Sequence, residues 1–161
     1  MTHGTRQRMP LLHAIVASAL GTGYAPWPAT AGSLLGIALW LPVYLSLPYT
    51  YTLWITISAI VVVSVIGSWS CTIAQYHWGD NPSNVAIDAV AGMWFTLIAI
   101  PPMAPWWQIP LAFFTYRLIN HTKPLGVRDV RNLPIGIGIM ADDVVAGIYS
   151  AIVIITINWL I

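Results

Sequence analysis

Glutamate is absent from this sequence, cysteine occurs once, and only 7% of the 161 residues are charged. Soluble domains devote roughly 25% of their residues to charge, so the polar coat of a water-soluble fold is missing. The 58% hydrophobic content is more apolar side chain than a domain of this length can hide from water. The lone Cys71 excludes an internal disulfide framework and a thiolate metal site, and reads as a small buried hydrophobe. His13, His77 and His121 do not share a ligand spacing. The net charge of +1 implies no polyanion, so nucleic acid is not expected as a partner.

What the sequence does have is apolar length. Crossing a bilayer core takes ~20 apolar residues, and five segments reach or approach that: 32–47, 52–74, 85–100, 106–120 and 136–161. The run 11–20 is too short to span and is expected to be interfacial or re-entrant. Arg6 and Arg8 precede it, but no small-residue cleavage site follows, so it reads as mature chain rather than a signal peptide. Glycines and prolines crowd residues 21–33 and predict a loop. Irregular backbone at membrane depth persists only where protein or a watery cavity satisfies it, so this loop should fold back into a polar pocket. The expected fold is an all-α integral membrane protein in a single domain. It has a basic arm (1–9), a re-entrant or interfacial segment (10–31), and a bundle of about five transmembrane helices (32–161).

Charge gives the orientation. Arg6 and Arg8 lie on the arm, and Lys123, Arg128 and Arg131 on the 121–134 loop, whereas the 48–51 and 101–105 connections carry no charge. Basic loops stay in the cytoplasm. Asp88 then opens the third span, Arg117 closes the fourth, and Asp142 and Asp143 open the fifth, all at the cytoplasmic side. An acid within a span costs ~2.5–3.5 kcal/mol on insertion scales and is by default functional. Neighbouring helical residues point ~100° apart, so Asp142 and Asp143 act together only through a shared cavity. Close carboxylates repel unless a cation separates them, and Mg²⁺ suits one or two carboxylates plus waters and phosphate oxygens. Asp88 is a further candidate ligand. The competing arrangement is simple pairing with Arg117, Lys123, Arg128 or Arg131. Arg117 and Lys123 suit a phosphate, or else snorkelling and anionic lipid. Gly136 and Gly138 open a helix, and Gly21, Gly23, Thr30 and Ser33 precede one. Free amides there could hold phosphate, although glycine also serves close helix packing.

The order of these features resembles the phosphatidylglycerophosphatase A family. The matching positions are Gly21, Gly23, Pro26, Thr30, Gly32 and Ser33; Asp88, Gly92, Met93 and Trp94; Arg117, Lys123 and Pro124; and Gly136 to Met140 with Asp142, Asp143, Ala146 and Gly147. The resemblance implies a Mg²⁺-dependent phosphatase of the bacterial inner membrane, with its site facing the cytoplasm. Such an enzyme removes the terminal phosphate of phosphatidylglycerophosphate. It implies Asp88, Asp142 and Asp143 as catalytic and metal-holding residues, and Arg117, Lys123 and the glycine-loop amides as phosphate holders. The family pattern usually has Glu at Ala89, Asp at Asn120, Pro-Gly-Thr at Pro28-Ala29-Thr30 and His-Gly-Gly at Pro134-Ile135-Gly136. Two carboxylates are thus replaced. The alternative this implies is a catalytically degenerate member that binds lipid or serves as a subunit of a homo-oligomer or larger membrane complex.

Overall fold

The computed structural model describes residues 9–79, 82–123 and 136–160. Arg6, Arg8, Arg128, Arg131, Pro124, Pro134 and Ile135 lie outside the described residues. The described chain is all helix, turn and loop: α1 (Leu11–Ala17), a 3₁₀ turn (Thr22–Tyr24), α2 (Pro28–Ser46), α3 (Tyr49–Trp78), α4 (Ile87–Leu97), α5 (Gln108–Thr122) and α6 (Ile137–Leu160).

With seven residues, α1 is only about 10 Å long, far short of a span. It lies against α3, where His13 Nδ1 meets Ser70 Oγ at 3.2 Å and the imidazole edge meets Trp69. Leu11, Leu12 and Leu20 remain largely exposed. The chain then reverses sharply through Ala19, Leu20 and Gly21, all at positive φ. Thr22 Oγ1 donates back to Ser18 and Ala19 carbonyls, and Gly23 N–H donates to Ser18 O at 2.8 Å. The irregular segment is shorter than expected, because α2 begins at Pro28 rather than Gly32. A proline at the first helical position loses no hydrogen bond and its fixed φ suits the helix.

Three helices, Pro28–Ser46, Tyr49–Trp78 and Ile137–Leu160, are long and apolar enough to cross a membrane. The expected third and fourth spans form shorter helices of 11 and 15 residues, about 16 and 22 Å long. The short α4 sits in the middle of the bundle and packs on α2, α3, α5 and α6. Ala89, Val90, Ala91, Gly92, Met93, Thr96 and Leu97 are all buried there. Its partners are packed helices rather than lipid, so their bulk, not its own length, encloses it. Hydroxyls within the spans return to the carbonyl one turn earlier: Ser33 to Ala29, Thr56 to Thr52 and Ser150 to Ala146, each at 2.7 Å. This satisfies groups that hydrocarbon cannot.

The α4 and α6 helices approach at the backbone. A methyl on Gly147 would lie 2.3 Å from Gly92 O, and one on Gly92 would lie 2.5 Å from both Asp143 O and the Tyr116 hydroxyl. Small residues let membrane helices touch at the backbone, and here the touching backbone leaves no room for one carbon. Gly36, facing Val90, would by contrast meet ordinary contacts of 3.4–3.5 Å. Gly147→Ala should therefore destabilise the detergent-solubilised protein by about 1–3 kcal/mol, the usual overpacking range. Gly36→Ala should change the thermal unfolding midpoint little. Equal midpoints for the two variants would refute this packing account.

Candidate functional site: an acidic cavity at one end of the bundle

Asp88 lies in the first turn of α4, one turn ahead of Gly92, and Asp143 lies one turn ahead of Gly147 on α6. Residues four apart share a helix face, so the contact that joins the two glycines also brings the two acids together. The last turns of α5 arrive from the opposite direction with Arg117, Asn120, His121 and Lys123. These residues, with Asp142, Ala29, Pro82, Ser83 and Val85, line one cavity of about 250 Å³.

The cavity is not a neutral pore. Asp142 and Asp143 are both buried, and both reach the cavity despite their ~100° divergence on the helix. Asp142 forms an ion pair with Lys123, the chain's only lysine. Lys123 caps α5 in the left-handed conformation, φ 44°, which turns its side chain back toward α6. Asp143 Oδ2 accepts from the Tyr116 hydroxyl at 2.8 Å and from Asn120 Nδ2 at 3.1 Å. Asp88 Oδ1 accepts from the Ala89 N–H at 2.8 Å. Arg117 forms no ion pair among the described residues. Three carboxylates therefore face two cations.

Of the residues singled out from sequence, Asp88, Asp142, Asp143, Arg117 and Lys123 line this cavity, while Gly21, Gly23, Thr30, Ser33, Gly136 and Gly138 do not. The glycine amides are used within the fold. Gly21 N–H donates to Ser18 Oγ and Gly136 N–H to Thr72 Oγ1, both at 3.1 Å. A methyl on Gly23 would strike Asn84 O, and one on Gly136 would strike the α3 backbone, so these two glycines serve close packing. Ala89 is fully buried and faces α2, where a methyl built on Gly32 would lie 3.2 Å from its Cβ. Sequence inspection passed over Tyr116. Its signal was helical spacing, since positions 116, 120 and 123 recur at the interval of one face.

The oxygen-rich lining fits a hard cation. Asp88 Oδ2 and Asp143 Oδ1 accept no hydrogen bond among the described residues, and neither is sealed away as a buried orphan. Among the described residues, no three His, Cys, Asp or Glu side chains form a ready metal cage. Mg²⁺ does not need one, because it keeps several waters and takes one or two carboxylates beside substrate phosphate.

Residues 15–158 match the Phosphatidylglycerophosphatase A family. A Bacteroides thetaiotaomicron protein named "Putative phosphatidylinositol-3-phosphatase" is 38% identical, the match covering 96% of this chain and 99% of that protein. Escherichia coli phosphatidylglycerophosphatase A is 34% identical over 85% of this chain and 78% of its own length. The Haemophilus influenzae enzyme of the same name is 33% identical over 95% of this chain and 94% of its own. No solved structure matches significantly. With these matches spanning nearly its whole length, the chain belongs to the phosphatidylglycerophosphatase A family.

Proposed function

We propose that this protein is a Mg²⁺-dependent lipid phosphate monoesterase acting on phosphatidylglycerophosphate. The observation that carries the reading is the meeting of Asp88, Asp142, Asp143, Arg117 and Lys123 around one cavity at a helix-bundle end. Arg117 grips the phosphate through its guanidinium fork, which matches two phosphate oxygens at once. Lys123 adds a point charge beside it, drawn from its pairing with Asp142 as the dianionic phosphate enters. Asp88 Oδ2 and Asp143 Oδ1 orient the attacking water and take its proton. The ester P–O bond breaks, and the lipid alcohol leaves carrying a proton. Asp88, Asp142 and Asp143 would hold the magnesium, which supplies Lewis-acid stabilisation of charge developing on the phosphoryl oxygens. Ala89 and Asn120 do not empty the site on this reading, since three carboxylates remain.

A second substrate reading is favoured by the relative at 38% identity, whose name assigns it phosphatidylinositol 3-phosphate. The chemistry is the same and only the polyol differs. We place the cavity on the cytoplasmic side of the bacterial inner membrane, because Lys123 lines it and the sequence that follows carries Arg128 and Arg131, whereas the 101–105 connection is uncharged.

Purified protein in detergent with Mg²⁺ should release phosphate from phosphatidylglycerophosphate, with chelation by EDTA or Asp143→Asn abolishing release. Phosphatidylinositol 3-phosphate in a parallel reaction tests the second substrate. Release from neither lipid above the Asp143→Asn control would sink the enzyme reading and leave a lipid-binding or complex subunit. Arg117→Ala should raise KM on the order of tenfold or more, as expected for losing a hydrogen bond to a charged group. An unchanged KM would exclude Arg117 from phosphate binding. In spheroplasts, a membrane-impermeant maleimide should label Met103→Cys and spare Ser83→Cys, both being exposed positions. The opposite labelling would invert the orientation.

A further inference from the structure

Tyr116 is the largest of the fully buried side chains, and its hydroxyl is committed to a single carboxylate oxygen. It donates to Asp143 Oδ2 at 2.8 Å. Asn120 Nδ2 donates to that same oxygen at 3.1 Å and lies 3.5 Å from the Tyr116 hydroxyl. The amide must be turned this way, because a carboxylate oxygen only accepts and an opposed carbonyl would repel it. Three helices contribute. Gly92 of α4 leaves the space, since any side chain there would collide with the Tyr116 hydroxyl. The α5 helix brings both donors and α6 brings the acceptor.

A carboxylate has two equivalent oxygens, and a torsion about Cβ–Cγ exchanges them. Two donors on one oxygen end that equivalence. In a low-dielectric interior each such bond is stronger than in water, so the carboxylate plane is held. We infer that Tyr116 is a positioning residue. With Asn120 it saturates Asp143 Oδ2, and so reserves Oδ1 for the cation and the attacking water in the cavity. Asn120 takes on a meaning that sequence comparison alone does not supply. A carboxylate at 120 would bring no donor, whereas the amide provides one to Asp143. The neutral residue is thus part of how Asp143 is held, not a gap in the ligand set.

This inference rests on reading the cavity as a Mg²⁺-dependent phosphatase site, so its test carries one readout that needs no turnover. Tyr116→Phe removes the hydroxyl and keeps the ring. Outer-partner losses of this kind typically cost 10–100-fold in metal affinity or activity. The variant should lose at least about tenfold in kcat with a lipid KM changed less than about twofold. Its half-saturating Mg²⁺ concentration should rise by a similar factor, both in turnover and in Mg²⁺-induced stabilisation measured by thermal unfolding without substrate. Tyr44→Phe is the control. It deletes a hydroxyl bonded to Pro101 O and the Ala104 N–H at the far end of the bundle, and should change neither readout. In an Asp143→Asn background, Tyr116→Phe should add no further loss of Mg²⁺-induced stabilisation, since Tyr116 acts through Asp143. Should Tyr116→Phe fail to fold, Asn120→Leu removes the second donor and is expected to shift the same Mg²⁺ response. Wild-type Mg²⁺ response in both Tyr116→Phe and Asn120→Leu overturns the inference, as does an additional loss in the Asp143→Asn background. A Mg²⁺ response that follows these rules without phosphate release would overturn the enzyme reading and keep the positioning role.

Discussion

Two glycine backbones in contact hold this structure's chemistry in place. Gly92 and Gly147 let α4 and α6 touch so closely that neither position has room for a methyl. Each has an acid one turn toward the cavity, Asp88 and Asp143, and the crossing brings those acids to the same space. The same gap at Gly92 admits the Tyr116 hydroxyl, so the third helix is seated by the contact that joins the first two. Without a hydrophobic drive between helices in lipid, close van der Waals contact of this sort is what specifies a membrane bundle. The acids are therefore placed by packing, and their charge comes with the placement.

Burying that charge has to be offset locally. Intramembrane acids are each unfavourable by ~2.5–3.5 kcal/mol on insertion scales. Here Asp142 is offset by Lys123, and Asp143 by the Tyr116 hydroxyl and the Asn120 amide. Asp88 receives the N–H that follows it in the first turn of its own helix, where an acid is also favoured by the helix dipole. The left-handed backbone at Lys123 costs about 1–2 kcal/mol for a residue with a Cβ, and it delivers the ammonium to Asp142. Each acid is thus stabilised by a different device. Those devices leave an oxygen of Asp88 and one of Asp143 open to the cavity.

Much of this was legible from composition and order. Scarce charge and long apolar runs announced a membrane helix bundle, and the isolated acids and bases marked residues that do meet: Asp88, Arg117, Lys123, Asp142 and Asp143 line one cavity. The glycines were legible as glycines but not as to purpose. Gly23 and Gly136 could have offered amides to phosphate, yet they sit where a Cβ would strike backbone. Residue type does not distinguish an amide left free from one brought against a neighbouring helix. Of the five expected spans, three form helices long and apolar enough to cross a membrane, and the other two form shorter helices. An apolar run such as 85–100 has the same composition whether it faces lipid or lies wrapped by other helices, as α4 does.

The sequence by itself determined the solvent this protein lives in, the helical character of its segments and the identity of the charged residues at its cavity, because hydrophobicity and charge are properties of single residues. The partners of those residues were decided by tertiary structure alone. Lys123 selects Asp142, and Tyr116 and Asn120 converge on one oxygen of Asp143, because α5 runs back against α6 at a distance set by glycines on α4 and α6. A hydrogen bond depends on separation and direction to within tenths of an ångström, and only the packed bundle sets those.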